Sequence, residues 1–158
     1  MAQPSSPLSP DFGECYRQYF PRVFAYIYGR IRDTAATEDL ASEVLKRAFA
    51  KADAFPDEEA FATWLFTVTR DLLVSHCRDQ SPLEGAPEDD LLQSPELARI
   101  LDHIRHLHLR EQDIIALKFD AQLTNAQIGK VMRLSEGKVG VILYRTLRKL
   151  RKALERET

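Results

Sequence analysis

Apolar residues recur at helical spacing along most of this chain, and the pattern breaks off once, over Gln80 to Ser94. That segment, QSPLEGAPEDDLLQS, holds two prolines, four acids and the only glycine between Gly29 and Gly129. Such a composition neither continues a helix nor buries much surface, so it predicts a flexible acidic tether. Upstream, a first helix is expected from near Asp11, with Tyr16, Phe20, Val23, Phe24, Ile27 and Ile31 on one broad side and Pro21 as a kink or restart. A second is expected to start at Thr37 as N-cap, with Glu38 and Asp39 at the positive end of its dipole. It would bury Leu40, Val44, Leu45, Ala48 and Phe49. A third, Asp57 to Cys77, sets Phe61, Trp64, Leu65, Val68 and Leu72 at offsets 0, 3, 4, 7 and 11, an amphipathic stripe. Helical spacing resumes at Pro95 with Leu97, Ile100, Leu101, Ile104 and Leu107. No alternating strand pattern competes. The expected fold class is all-α, with two small helical domains (11–79 and 95–156) joined by a flexible linker (80–94). Residues 1–10 are expected to form a disordered tail.

The stretch Leu109 to Leu154 says most about function. A short helix over Arg110 to Phe119 turns Ile114, Ile115 and Leu117 inward, and Thr124 then caps a second that buries Ile128 and Val131. A tight break at Met132-Arg133-Leu134 leads to Ser135, the cap of a long last helix opened by Glu136 and Gly137. Val139, Leu143, Leu147, Leu150 and Leu154 are its expected inner face. A short helix, a tight turn and a capped longer helix make a helix-turn-helix, whose second helix can enter the major groove. Basic residues fall where phosphates would lie: Lys130, Arg133 and Lys138 around the turn, then Arg145, Arg148, Lys149, Arg151 and Lys152. Such cations supply affinity, and base contacts supply sequence choice.

Charge is divided along the chain. Asp33 to Ala60 carries eight acids against three bases, whereas Ala121 to Thr158 carries nine bases against three acids. One end suits a positive surface and the other a polyanion. Several classes drop out. No apolar run approaches the roughly 18–20 residues of a membrane span, so no membrane insertion is expected. Met1 to Pro10 has neither the cationic start nor the apolar core of a signal peptide. Cys15 and Cys77 lie outside metal-ligand spacing and read as reduced thiols of a cytoplasmic protein. Neither a glycine-rich phosphate loop nor a nucleophile motif occurs, which argues against an enzyme. His103 and His106 share a helix face, but no acid or cysteine joins them at ligand spacing; neither metal nor cofactor is expected.

Leu109-Arg110-Glu111, Leu123-Thr124, Ile128 and Leu134-Ser135-Glu136-Gly137-Lys138-Val139 together resemble the promoter-reading domain of the extracytoplasmic-function sigma factors of bacteria. Thr37 to Phe49 (TEDLASEVLKRAF) resembles the helix of their first domain that docks on the polymerase clamp, and Phe61 to Arg70 (FATWLFTVTR) the helix that handles the start-proximal element. The match spans nearly the whole chain beyond the tail and the tether. It implies a transcription initiation factor whose partners are core RNA polymerase, promoter DNA and an inhibitory anti-sigma factor. By resemblance, Glu38, Asp39 and Glu43 meet the polymerase, while Phe55, Arg70 and Arg78 serve the start-proximal DNA. Lys130, Arg133, Ser135, Lys138, Arg145, Arg148 and Lys149 serve the distal element. Phe55 lies where the family captures a flipped base, although a core-facing ring is the commoner use of such a residue.

The chain also departs from the family pattern. Asp71, Ser75 and Arg78-Asp79 stand where the family usually has an Asn, an Asp and a basic pair, which leaves that side less cationic, and Gly140-Val141-Ile142 stand where polar and basic residues are usual. Val141 and Tyr144, if exposed, would suit a protein partner. A second reading therefore stays open, a sigma-like adaptor or decoy that binds polymerase or a regulator without choosing promoters.

Overall fold

The computed structural model describes residues 12–79 and 94–156. The expected tail over 1–10 and all of the expected tether except Ser94 lie outside the described residues. Seven α-helices are described: α1 Phe12–Ile31, α2 Thr34–Lys51, α3 Glu58–Asp79, α4 Pro95–Arg105, α5 Leu109–Phe119, α6 Asn125–Met132 and α7 Glu136–Glu155. A 3-10 turn at Ala52–Ala54 joins α2 to α3. Among the described residues there is no strand, and the fold is all-α.

α1 runs unbroken through Pro21 instead of restarting there. The ring projects on the exposed side, while Tyr19, Val23, Tyr26, Ile27 and Ile31 are buried and hold the helix from the other side. α2 begins one turn before the expected Thr37. Arg32 takes a left-handed φ of 50°, and the Oδ1 of Asp33 accepts from the Ala36 amide at 3.1 Å. Aspartate caps as well as threonine does, and the earlier start lets Thr37 and Ala41 bury themselves.

α3 buries a wider sector than one stripe. Phe61, Ala62, Leu65, Phe66, Thr69 and Leu73 are buried, and Trp64, Val68 and Leu72 are only half-buried. The reason is that α3 packs on α1 and α2 and also on α6 of the C-terminal group. α7 likewise turns Thr146 inward and leaves Leu147 exposed. The Thr146 hydroxyl donates to Glu111 Oε2 at 3.0 Å, so a hydrogen bond makes that inward position suit threonine. α4 is the loosest element: Leu97 and Ile100 stay exposed, and Ile104 and Leu107 reach the core.

Candidate nucleic-acid interface

The α6–α7 pair is built by its caps. Thr124 Oγ1 accepts from the Gln127 amide at 3.1 Å, and Gln127 Oε1 accepts from the Thr124 amide at 2.9 Å, a reciprocal capping box. Arg133 ends α6 in the left-handed region at φ 60°, and Ser135 Oγ then accepts from the Lys138 amide at 3.1 Å to open α7. Gly129 makes the turn possible. A Cβ on it would stand 2.5 Å from the Leu134 carbonyl oxygen, and the Leu134 amide is already bonded to Gly129 O at 2.8 Å. Replacing glycine with alanine inside a helix ordinarily helps by roughly 1 kcal/mol, but here a backbone oxygen is the obstacle and cannot swing aside. Gly129→Ala should therefore destabilise the chain by about 1–3 kcal/mol, read as a lower urea midpoint; an equal or higher midpoint would refute this account of the turn.

Lys130, Arg133, Ser135, Lys138, Arg145 and Arg148 surround this unit, and all six are exposed on α6, the turn and α7. Lys149 differs: its Nζ closes on Glu111, 2.7 Å from Oε2 and 2.9 Å from Oε1. Burial opposes ionisation of Glu111, but the bonds from Lys149, Thr146 and the His108 amide outweigh it and hold its pKa below the usual value. The α5–α7 contact thus takes up part of the Lys149 charge. In the N-terminal group, Glu38, Asp39 and Glu43 line the outer side of α2, with Glu43 paired to Arg47 at 2.8 Å. Phe55 is half-buried, its ring 5.2 Å from that of Trp64 and 5.8 Å from that of Phe61. The side chain of Arg78 lies outside the described residues.

Arg70 points at the other helical group. Its Nε lies 2.6 Å from Asp113 Oδ2 on α5, while Arg30 Nη2 of α1 lies 2.6 Å from Asp113 Oδ1. The Tyr26 hydroxyl donates to the same Oδ1 at 2.7 Å. Burial works against the charge on Arg70, yet the bond and field of Asp113 raise its pKa further. Burial, and then Asp113, push Tyr26 well above the usual phenol value. Two more bonds cross the joint: Arg22 Nε to the Ala121 carbonyl at 2.8 Å and Gln127 Nε2 to the Glu59 carbonyl at 3.1 Å. A cleft of about 520 Å³ opens beside this network, with Tyr26, Arg30, Arg70 and Asp113 in its wall.

Asp120, at the end of α5, faces α1 in the same joint; a Cβ on Gly29 would stand 3.6 Å from its Oδ2. Burial raises its pKa from 3.8 to about 6, against the pull of Arg30. A raised folded-state value means that the protonated form favours the closed fold. This contribution is complete below about 3.8 and lost as pH rises through about 6. Asp120→Asn should flatten the loss of stability between about pH 4.5 and 7 and, after allowance for partial exposure, add about 1–2 kcal/mol at neutral pH. Urea midpoints at the two pH values test this, and a variant that keeps the parent's pH dependence would rule it out.

Among the described residues no group of His, Cys, Asp and Glu is placed to hold a metal ion, and no helix is long and apolar enough to cross a membrane. Sequence spacing marks the helix-turn-helix cations but not the joint, because the charged partners there are 43 and 83 positions apart in the chain. The only local sign of the joint is an aspartate at the head of an apolar run, Asp113-Ile114-Ile115-Ala116-Leu117.

Comparison with known proteins agrees with this layout. Residues 15–82 match the family description "Sigma-70 region 2" and residues 104–152 match "Sigma-70, region 4". Among curated relatives, the ECF RNA polymerase sigma factor BldN of Streptomyces coelicolor is 33% identical over 90% of this chain, which spans 60% of BldN. SigW of Bacillus subtilis, also an ECF RNA polymerase sigma factor, is 23% identical over 90% of this chain and 88% of its own. Two solved structures share the fold. CnrH, in complex with the cytosolic domain of CnrY, has a TM-score of 0.72 at 18% identity over 93% of this chain and 89% of its own. RpoE of Bartonella quintana, in complex with the anti-sigma factor NepR, has a TM-score of 0.73 at 21% identity over 92% of this chain and 97% of its own. With both sigma-70 regions present in order, on a helical frame of this kind, the chain belongs to the extracytoplasmic-function family of RNA polymerase sigma factors.

Proposed function

We propose that this chain is a transcription initiation factor that joins core RNA polymerase and directs it to specific promoters by reading two promoter elements. The observation that carries the reading is the capped α6–α7 unit with Lys130, Arg133, Lys138, Arg145 and Arg148 around it, at the opposite end of the chain from an acidic helix. Glu38, Asp39 and Glu43 of α2 dock on a basic polymerase surface, where charge complementarity speeds association and fixes register. The distal element is bound as duplex by α7, with Ser135 setting the start of the reading helix and the cations on phosphates. The start-proximal element falls to the α3 side, through Arg70 and Arg78, with Phe55 at the entry to that side.

A protein regulator of the anti-sigma kind is a further proposed partner, supported by the likeness to RpoE, which was solved with one. The cytoplasm, where polymerase works, is the proposed location.

Run-off transcription with purified core polymerase on a library of promoter fragments tests the assignment. Discrete start sites that require the chain are the expected result. Polymerase binding without specific initiation would overturn it and leave an adaptor.

A further inference from the structure

The outward surface of α7 is unlike the rest of its basic neighbourhood. Val139, Leu143, Thr146 and Leu150 form its buried seam. At about 100° per residue, the meridian opposite that seam falls on Val141, with Arg148 close to it two turns later. Val141 is 48% exposed and Tyr144 is 67% exposed. Gly137 flanks them with nothing within 4 Å of where a Cβ would stand, and Lys138 and Arg145 lie exposed on the other side. The point of the reading helix that projects furthest from the protein is thus aliphatic, between cations.

That placement has no structural use. Val141 adds nothing to the core, and a β-branched residue close to two glycines weakens the helix rather than supporting it. Base chemistry supplies a use. Guanine edges call for the fork or charge of Arg or Lys, and adenine edges for the amide of Asn or Gln. The positions of the first two turns outside the buried seam hold Glu136, Gly137, Lys138, Gly140, Val141 and Ile142, so Lys138 has the charge for a guanine edge, while Val141 has neither charge nor amide. The base-edge group that an aliphatic side chain recognises is the thymine 5-methyl. Gly137 adds room for the helix backbone to approach the groove floor. A protein partner on this face would have to desolvate Lys138, Arg145 and Arg148, whereas phosphates on either side of a major groove match them.

We infer that Val141 reads a thymine 5-methyl group in the distal promoter element, so that an apolar contact chooses the base there. This rests on the promoter-reading function proposed above. To test it, duplexes selected from a random pool by the full chain assembled with core polymerase are remade with deoxyuridine in place of each thymine in turn. Uracil pairs as thymine does and lacks only the methyl. One distal position should bind about three- to fivefold more weakly as uracil, the worth of one buried carbon. Val141→Ala should bind both duplexes equally, and Val141→Thr, which keeps a methyl, should retain the preference. Because Val141 is exposed, thermal melting of Val141→Thr should match the parent and that of Val141→Ala should be equal or slightly higher.

Absence of any thymine-over-uracil preference, or its survival in Val141→Ala, would overturn the inference while specific start sites still upheld the promoter-reading function. Loss of polymerase binding in Val141→Ala with the preference unchanged would overturn it too, and assign the face to a protein. A chain that selects no duplex at all would sink the function itself.

Discussion

Asp113→Ala should cost the closed arrangement of the two helical groups about 3–5 kcal/mol, the range for removing one partner of a buried ion pair. Asp113 is 7% exposed and is the shared acceptor for Arg30, Arg70 and Tyr26. Without it, two guanidinium groups face each other across the joint with no carboxylate between them, and Arg30 Nε is already a buried donor without a partner. Because the arginines belong to α1 and α3 and the carboxylate to α5, the groups can part and let water solvate them. The expected outcome is therefore separation before unfolding: a larger radius of gyration by small-angle scattering, with helical circular dichroism retained. Arg70→Gln added to Asp113→Ala should cost far less than Arg70→Gln alone, since coupled partners are not additive. A variant as compact as the parent would refute the role given to Asp113. The functional consequence is direct. Arg70 cannot serve Asp113 and a DNA phosphate at once, so under the proposed function Asp113→Ala should also free Arg70 for the start-proximal element.

What could be read in the sequence divides along the range of the interactions. Thr124, Ser135 and the break at Met132-Arg133-Leu134 act within one turn of chain, and the structure shows those caps and that turn. The start of α2 is ambiguous in sequence because Asp33 and Thr37 are both good caps, and only packing against α1 decides between them. The α3 seam departs from expectation for the same kind of reason: periodicity reports one buried stripe, whereas α3 is covered from two sides. Thr146 and Leu147 trade places against hydropathy because Glu111, 35 positions away, offers a carboxylate to the hydroxyl. Gly129 does carry a local sign. A glycine inside a helix one turn before a sharp break signals a close approach, here by the Leu134 carbonyl. The Asp113 network has only the aspartate itself at the head of an apolar run, since nothing in the spacing of Tyr26, Arg30 and Arg70 marks a common partner.

Replacing Arg145 and Arg148 together with alanine should weaken promoter binding and flatten its salt dependence. Both side chains are exposed on the outer half of α7. Each phosphate that a cation neutralises contributes about 0.9 to the slope of log K against log salt, so removing the pair should lower the slope by about two. Over a fourfold rise in salt, from about 50 to 200 mM, the parent should then lose roughly tenfold more affinity than the variant. Lys149 supplies the contrast. Its ammonium is held by Glu111, so Lys149→Ala should change the slope much less and instead lower stability by about 0.5–1 kcal/mol, typical of a part-exposed pair. Titrating holoenzyme on one promoter duplex at several salt concentrations separates these cases. An unchanged slope for the double variant would remove Arg145 and Arg148 from the phosphate-binding set. A drop of about one for Lys149→Ala would mean that its Glu111 pair breaks on DNA, so that binding draws on the same ion pair that fastens α7 to α5.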